Sequence, residues 1–441
     1  MPMPIKSLSA EENNVIRVLR QKTNHQTGEL SHLVKKFIDK KDIFLKLAEK
    51  YQTPFYVLDS EELNKNILEF QNAFSENIKN SEYFYAIKIN HHSEVIKAVL
   101  KYDYGLDVSS ERELKLALKS GAKKIVFSGP GKTESSLSLA AKHSDIITVN
   151  IDSFTELNRL KKVLAKEKAQ MRAGVRITLE KDDWNKFGIP LKDLKKFMEL
   201  ADKTPGLLFE GIHYHLSWNK DALPYQNAIK KISEYLKGNM EPSRLKRLKF
   251  IDLGGGFRPY SSEGYYPWIT PEGQILKTAY DHLGLKPPFK EKYYLTEAIT
   301  IEEYAQGISA AIKKYFNPLL NCVYYFEPGR VIANNAMHVI LKIMDVKTPQ
   351  KSIADGGINI TGWERFEYDY CPLINLTHPS HQEIDHTIYG SLCMPQDLWG
   401  YHCYAKKISE GDIIIVPYQG ALTYSLAQNF IHPIPKVYTL K

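Results

Sequence analysis

The sequence predicts an α/β protein in which a closed (β/α)8 barrel is followed by an all-β domain. Two observations lead to this prediction. From residue 53 onward, short apolar runs alternate with helical segments about eight times at fairly even spacing, which is typical of parallel strands closed into a barrel. After Arg330, strand-like runs follow one another with short turns and little helix, for example at Val339–Val346 and Ile413–Val416. A doubly wound open sheet is the alternative, but so many successive units favour closure.

The elements follow one another in a regular order. Residues 1–52 form a predicted helical extension, in which Leu30 to Leu47 shows an amphipathic pattern. The barrel is assigned to residues 53–330 and the β domain to residues 331–441. The apolar runs predicted as barrel strands, each followed by a helical segment, are Phe55–Leu58, Tyr83–Ile87, Leu106–Val108, Ile125–Phe127, Ile146–Val149, Ala173–Ile177, Phe209–His213 and Phe250–Leu253.

Composition excludes several classes of protein. The chain has 441 residues, 43% of them apolar and 25% charged, as in ordinary globular proteins. No apolar run is long enough to cross a membrane, and the N-terminus does not resemble a signal peptide. The net charge of +8 is spread over helical segments, so we expect no nucleic-acid partner. The four cysteines show no metal-binding spacing, which predicts no metal site and a cytoplasmic location.

Lys88 lies in an otherwise apolar run from Tyr83 to Ile89. Burying an unpaired ammonium in a strand is costly. A Schiff base with pyridoxal phosphate would remove the free ammonium and use the lysine as the anchor of the cofactor. The alternative is an edge-strand lysine that reaches solvent.

Other polar residues follow the predicted strands, where the site of a (β/α)8 barrel lies. His215 and Glu327 each come just after a strand, and Gly254-Gly255-Gly256 allows a tight turn whose backbone N–H groups suit a phosphate. Taken singly, His215 is more often a core histidine and Glu327 an ordinary strand-end carboxylate. Their order along the chain, together with Lys88, favours a common site.

A series of ordered motifs extends from about Thr53 to the C-terminus. They are Tyr85-Ala86-Ile87-Lys88, Asp107-Val108-Ser109-Ser110-Glu111-Arg112-Glu113-Leu114, Ile151-Asp152-Ser153, Lys186-Phe187-Gly188, His215, Asp252-Leu253-Gly254-Gly255-Gly256-Phe257, Glu327-Pro328-Gly329-Arg330 and Tyr389-Gly390-Ser391-Leu392-Cys393. The series resembles that of the fold-type III pyridoxal-phosphate decarboxylases, the group of diaminopimelate, ornithine and carboxynorspermidine decarboxylases. The resemblance implies an alanine-racemase-like barrel and a head-to-tail homodimer with shared active sites.

The resemblance also implies a role for each matching residue. Lys88 would bind pyridoxal 5′-phosphate, and His215 would stack on its pyridine ring. Glu327 would keep the pyridine nitrogen protonated, so that the ring accepts the electrons left when carbon dioxide departs. Cys393 of the partner subunit would reprotonate the resulting quinonoid, unless it is only a buried apolar cysteine. The phosphate would be held by Gly254, Gly255, Gly256 and Arg330.

The substrate motifs depart from this family. Met394 follows Cys393, where diaminopimelate and ornithine decarboxylases carry an acidic residue that holds the distal amino group; Asp397 could compensate. Cys371 to Asn375 matches an Arg-Pro-x-x-Tyr element that holds a distal carboxylate, but has neither the arginine nor the tyrosine. We therefore assign Met394, Asp397, Cys371 and Asn375 to a changed substrate site.

The tyrosine expected to contact the phosphate is also missing. The Gly-Ala-Tyr element reads Gly420-Ala421-Leu422, and Tyr424 would replace the tyrosine only if this segment is extended. Several aromatic residues near the changed motifs could line a larger pocket or pack in the core. They are Trp363, Tyr368, Tyr370, Trp399 and Tyr401.

The catalytic set is retained while the substrate set differs. We therefore expect a decarboxylase of another amino acid or amino-acid conjugate, of the kind found in siderophore or polyamine pathways. A racemase or epimerase is one alternative, but Glu327 disfavours it, because alanine racemase has an arginine at this contact. A non-catalytic pyridoxal-phosphate-binding homologue is the other, and the retention of Lys88, His215, Glu327 and Cys393 disfavours that.

Overall fold

The computed structural model describes residues 30–179, 186–259, 263–287, 289–362 and 369–440. Within these residues, eight parallel strands close into a barrel, because Val323–Phe326 pairs with Ser81–Ala86 on one side and with Phe250–Asp252 on the other. The predicted barrel is thereby confirmed. The strands between them follow around the barrel in chain order: Gly105–Val108, Ile125–Phe127, Ile147–Ile151, Met171–Thr178 and Leu207–His213. The short strand Ile189–Pro190 is added beside Met171–Thr178.

Helices surround the barrel, and most of them bury an apolar face against it, although Pro271–His282 buries only Gly273. Side-chain caps set where several of them begin: Ser110 and Ser153 accept backbone N–H groups of the first turn, and Thr300 and Glu303 form a capping box. The helices are Ser60–Asn77, Ser93–Lys101, Glu111–Lys119, Glu134–Lys142, Phe154–Glu167, Leu194–Asp202, Leu223–Asn239, Pro242–Leu245, Pro271–His282, Ile301–Ala311 and Arg330–Ala333. None of the helices in the described part of the chain is both long and apolar enough to cross a bilayer.

A second sheet forms the β domain. Among the described residues its strands, in spatial order, are Lys351–Ala354, Glu383–Tyr389, Leu398–Tyr404, Ile374–Asn375, Ile413–Val416, Met337–Thr348, Phe55–Asp59 and Val437–Leu440. Met337–Thr348 also pairs with Lys351–Ala354, which curls the sheet back on itself.

The prediction that Phe55–Leu58 forms the first strand of the barrel is wrong. Phe55–Asp59 pairs antiparallel with Met337–Thr348 and parallel with Val437–Leu440, so it belongs to the β domain. The eighth barrel strand is Val323–Phe326 instead. The error arises because a short apolar run indicates a buried strand without indicating which sheet it joins.

The N-terminal helices Ser31–Asp39 and Lys41–Lys50 pack on the β domain. Phe37 and Phe44 are buried there with the side chains of Phe55 and Ile340. The rest of the predicted extension, residues 1–29, lies outside the described residues.

The segment between the glycine loop and helix Ile301–Ala311 contains elements that the sequence patterns did not predict. Strands Glu263–Tyr265 and Tyr294–Thr296 pair with each other, and Glu263–Tyr265 also pairs with Asp369–Tyr370 of the C-terminal part. Two- and three-residue strands are too short for a periodic signal. This small sheet joins the glycine-loop side of the barrel to the segment that enters the substrate element at Cys371.

Candidate active site

Two adjoining cavities open where the barrel strands end. The larger has a volume of about 850 Å³ and the smaller about 150 Å³. They share the lining residues Lys88, His215, Ser217, Trp218, Glu327 and Leu422. Because three of the four predicted catalytic residues line both, the strand-end site of a (β/α)8 barrel is present here.

Lys88 comes two residues after strand Ser81–Ala86, and its Nζ lies 3.8 Å from Oδ2 of Asp107 on the neighbouring strand. Asp107 is buried, and its other oxygen accepts a hydrogen bond from Ser128. Burial and the nearby Glu327 carboxylate raise the pKa of Asp107 to about 7, although Lys88 opposes this. The carboxyl group beside Lys88 can therefore gain or lose a proton near neutral pH.

Glu327 is buried between two histidines. Its Oε2 lies 3.4 Å from Nδ1 of His215 and its Oε1 lies 3.6 Å from Nε2 of His213. Burial alone would raise the pKa of Glu327, but these two histidines lower it well below the usual range. Burial lowers the pKa of His215 to about 4, so its ring is neutral near pH 7. Among the described residues, Oε1 of Glu327 has no hydrogen-bond partner.

The glycine loop supports His215. The backbone N–H of Gly255 donates to Nδ1 of His215 at 3.1 Å, and that of Gly254 donates to Oδ1 of Asp252 at 3.0 Å. Two of the three N–H groups expected to face a phosphate are thus used inside the loop. Gly256 lines the smaller cavity with φ of +92°, and a Cβ there would lie 2.0 Å from the carbonyl oxygen of Leu216. Only glycine fits at this point.

Arg330 also lines the smaller cavity, directly after Gly329. Its guanidinium forms an ion pair with the buried carboxylate of Glu263. A Cβ at Gly329 would lie 2.3 Å from the Ile89 side chain, so the backbone approaches closely here too. The smaller cavity is therefore bounded by glycine backbone and an arginine.

These groups fit pyridoxal phosphate. Lys88 supplies an amine for its aldehyde, and Oε1 of Glu327, which has no hydrogen-bond partner among the described residues, is a buried acceptor for a pyridinium N–H. The smaller cavity combines a glycine turn with arginine, which is the chemistry that binds a phosphate.

The predicted acid and its neighbours lie elsewhere in the same chain. Cys393 is exposed in the turn between Glu383–Tyr389 and Leu398–Tyr404 and does not line either cavity. Met394 in the same turn packs at the edge of the core. Asp397 is buried, and its carboxylate accepts the N–H groups of Ile358 at 2.8 Å and Leu392 at 2.6 Å. Asp397 therefore holds the turn that presents Cys393.

The other predicted substrate residues also do not line the cavities. Cys371 is buried and its Sγ accepts a hydrogen bond from Gln419. Asn375 is buried in the β domain, where its amide donates to Asp412 and to the carbonyl of Lys407. Within a single chain, neither is positioned to meet a substrate at Lys88.

Tyr424 is not in an extended segment. Leu422 has φ of +58° and Tyr424–Leu426 is a 3-10 helix, so the condition set for Tyr424 to replace the missing tyrosine is not met. The Tyr424 ring packs against Tyr56, His91 and His92. Leu422 and Leu426 line the larger cavity instead.

Of the aromatic residues near the changed motifs, Trp399 and Tyr370 pack in the core, whereas Tyr401 is exposed. Trp399 is buried and donates to the carbonyl of Gly356, and Tyr370 is buried against Glu383. Tyr401 lies against Tyr266 and Trp268. Trp363 and Tyr368 lie outside the described residues.

Sequence reasoning missed several residues of the site. Asp107, His213 and Arg176 sit at or near strand ends, and strand-end position was the signal that could have found them. Trp218 and Arg258 follow the strands in loops of irregular structure, so no periodic pattern marks them.

Comparison with known proteins agrees with this geometry. Residues 61–270 match the family described as "Pyridoxal-dependent decarboxylase, pyridoxal binding domain". A diaminopimelate decarboxylase of Campylobacter jejuni is 25% identical over 404 residues, which cover 88% of this chain and 90% of the relative. A 2-[(L-alanin-3-ylcarbamoyl)methyl]-2-hydroxybutanedioate decarboxylase of Staphylococcus aureus is 25% identical over 419 residues, which cover 88% and 94%.

Solved structures share the fold. Diaminopimelate decarboxylase from Helicobacter pylori, complexed with L-lysine, superposes with a TM-score of 0.72 at 23% identity, covering 90% of this chain and 94% of that one. Lysine/ornithine decarboxylase from Vibrio vulnificus, complexed with putrescine, gives a TM-score of 0.70 at 19% identity, covering 91% and 98%. These matches agree with the Lys88, His215 and Glu327 site, and the chain is similar to pyridoxal-dependent decarboxylases over most of its length.

Proposed function

We propose that this chain is a pyridoxal-phosphate-dependent decarboxylase of an amino acid or amino-acid conjugate. The observation that carries the proposal is the convergence of Lys88, His215 and the buried, ionised Glu327 on one cavity at the strand ends. The two curated relatives described above are decarboxylases by name, which supports the same reaction class.

Glu327, His215 and Asp107 have separate roles in this reaction. Bound pyridoxal phosphate supplies an electron-accepting ring for the pair of electrons left by carbon dioxide. Glu327 holds a proton on the ring nitrogen, because its own low pKa keeps it ionised. The neutral imidazole of His215 supports one face of the ring. Asp107, 3.8 Å from Lys88, exchanges protons with Nζ as the lysine changes partners.

The proton for the product carbon comes from Cys393 in a second copy of the chain. Cys393 is exposed and away from the cavity of its own chain, so it reaches a substrate only across an interface. Trp218 and Leu426 flank the larger cavity with 54% and 53% of their surfaces exposed, which suits cover by a partner subunit. We therefore propose a head-to-tail homodimer with shared sites, working in the cytoplasm with its cysteines reduced.

The substrate differs from a simple diamino acid. Of the described residues that line the larger cavity, Lys88, Arg176 and Lys186 are basic and Glu327 is the single carboxylate. Met394 adds no charge beside Cys393, and both oxygens of Asp397 are engaged by backbone N–H groups. Among the described lining residues, a distal ammonium meets no carboxylate other than Glu327, whereas a distal carboxylate meets several cations. The name of the Staphylococcus aureus relative describes a substrate of this kind, an alanine unit amide-linked to a hydroxylated butanedioate.

A substrate panel tests the proposal. Purified protein loaded with pyridoxal phosphate is incubated with basic, diacidic and citryl-conjugated amino acids, and carbon dioxide release and loss of optical activity are both measured. We expect carbon dioxide release from an acidic or citryl-conjugated member. Racemisation without carbon dioxide release, or failure to bind the cofactor, would contradict the proposed reaction.

A further inference from the structure

A second arginine stands beside Arg330 at the smaller cavity. Arg258 follows the glycine loop and, like Arg330, lines this cavity and forms an ion pair with Oε1 of Glu263. Both guanidinium groups also lie over the ring of Trp218, at 5.5 Å for Arg258 and 4.8 Å for Arg330. Arg258 is thus part of a preorganised cluster, although it belongs to none of the motifs that point to the cofactor.

The cluster places two cationic side chains at one cavity wall. Both guanidinium groups contact the same carboxylate oxygen, Oε1 of Glu263. Only 9% of Arg258 is exposed, and its Nε has no hydrogen-bond partner among the described residues. A largely buried guanidinium group at a cavity wall, next to a second one, favours an anionic ligand in that cavity.

The cluster is also held rigidly. Glu263 belongs to strand Glu263–Tyr265, which is paired on both sides with other strands. Trp218 has φ of +60°, a backbone region that residues with a Cβ rarely adopt, and both guanidinium groups lie over its ring. Rigid donors bind an oxyanion with less loss of entropy than mobile ones do.

We propose that Arg258 and Arg330, held by Glu263 over Trp218, form a two-arginine oxyanion subsite that opens toward Lys88. Its ligand is either the phosphate of the cofactor or a carboxylate of the substrate, since planar guanidinium groups recognise both. The inference rests on the proposed function and assigns to Arg258 a binding role that the family motifs give to Arg330 alone.

The first experiment tests whether the subsite binds the phosphate of the cofactor. It compares two ligands that differ only in that phosphate. Apoprotein is titrated with pyridoxal phosphate and with pyridoxal, following the absorbance of each, for the wild type and for Arg258→Gln. If Arg258 holds the phosphate, the variant binds pyridoxal phosphate roughly 10- to 100-fold more weakly, while its affinity for pyridoxal is unchanged. Arg258→Lys should recover part of the loss, because it restores the charge without the fork.

The second experiment uses small carboxylates to test whether the subsite binds a carboxylate of the substrate. Calorimetry measures the binding of glutarate and citrate, with uncharged glutaramide as reference, to the cofactor-loaded protein. If Arg258 holds a substrate carboxylate, Arg258→Gln weakens glutarate or citrate roughly 10- to 100-fold and leaves both cofactor affinities unchanged.

Arg247→Gln is the matched control, because Arg247 also pairs with a carboxylate, Asp202, but on the exposed outside of the barrel. The subsite is refuted if Arg258→Gln behaves like this control in both titrations. It is also refuted if the variant loses pyridoxal and pyridoxal phosphate affinity equally, since that result describes a structural ion pair. A wild-type protein that binds neither form of the cofactor would instead reject the proposed function.

Discussion

Nζ of Lys88 lies 3.8 Å from Oδ2 of Asp107, across two neighbouring parallel strands. The lysine side chain is 40% exposed, whereas the carboxylate is fully buried. The pair therefore offers a reachable amine with a proton-exchanging partner behind it, the arrangement that an amine needs in order to attack an aldehyde and later be released.

The cofactor should be attached to Lys88. Reduction with borohydride in the presence of pyridoxal phosphate should place the label on the peptide that contains Lys88, because reduction makes the bond permanent. Peptide mass spectrometry locates the label. Lys186 also lines the larger cavity, so it serves as the internal comparison, and a label found there would refute the proposed anchor.

The Glu327→Gln variant should lose turnover without a comparable loss of cofactor affinity. The amide keeps the shape of the side chain but removes the charge that holds a proton on the ring nitrogen, so we expect turnover to fall by about 10²–10³-fold, on the scale of preorganised electrostatic groups. Cofactor affinity should change by less than about tenfold, since the phosphate contacts remain. Single-turnover rates and absorbance titrations give the two quantities. A variant that loses cofactor but keeps its rate per bound cofactor would assign Glu327 to binding.

Cys393→Ala should lower decarboxylation by about 10²–10⁴-fold, as for loss of a general acid, with cofactor binding intact. Cys322→Ala, a buried cysteine outside the site, is the control. Mixing Cys393→Ala with Lys88→Ala after dissociation and reassociation should restore about a quarter of wild-type activity, because half of the dimers then contain one native site. No recovery on mixing would contradict a shared site.

L-ornithine, L-lysine and meso-diaminopimelate should be poor substrates, with kcat/KM below about 10⁴ M⁻¹s⁻¹. Their distal ammonium would be desolvated without a counter-charge beside Met394. Met394→Glu should raise kcat/KM for L-ornithine and L-lysine, and the neutral Met394→Gln should not. Efficient turnover of any of the three by the wild type would mean that these substitutions leave the substrate class unchanged.

His338 should make the fold sensitive to acid. Burial among Phe37, Phe44 and Tyr418 lowers its pKa to about 3, although Asp59 opposes this. The unfolded histidine titrates near 6.5, so its contribution to stability is complete above that pH and is lost as the pH falls toward 3. At pH 5 the loss is about 2 kcal/mol.

Urea unfolding at pH 7 and pH 5 measures this effect. His338→Asn keeps an acceptor for the Tyr418 N–H but cannot take up the proton, so the difference between the two pH values should shrink by about that amount. His282→Asn, at an exposed helix end, is the control. An unchanged difference in His338→Asn would assign the acid sensitivity to other groups.

Much of the site could be predicted from the sequence because its signals are local or ordered along the chain. The alternation of apolar runs with helical segments indicates parallel strands, and parallel strands bring their carboxyl ends to one edge. Lys88, His215, Gly256, Glu327 and Arg330 each follow such a run, and all five line the smaller cavity.

What only the tertiary structure decided depends on pairing between distant segments. The run Phe55–Asp59 is as apolar as a barrel strand, but its partners are residues 337–348 and 437–440, which local periodicity does not reveal. Asp397 could be a charged substrate contact by sequence, but in the fold its carboxylate accepts hydrogen bonds from two backbone N–H groups. Arg258 and Arg330 are 72 positions apart in the numbering and meet only because Glu263 lies between them. The order of the motifs along the sequence therefore predicts the reaction class. The chemistry of the substrate depends instead on which charged side chains the fold brings to the site.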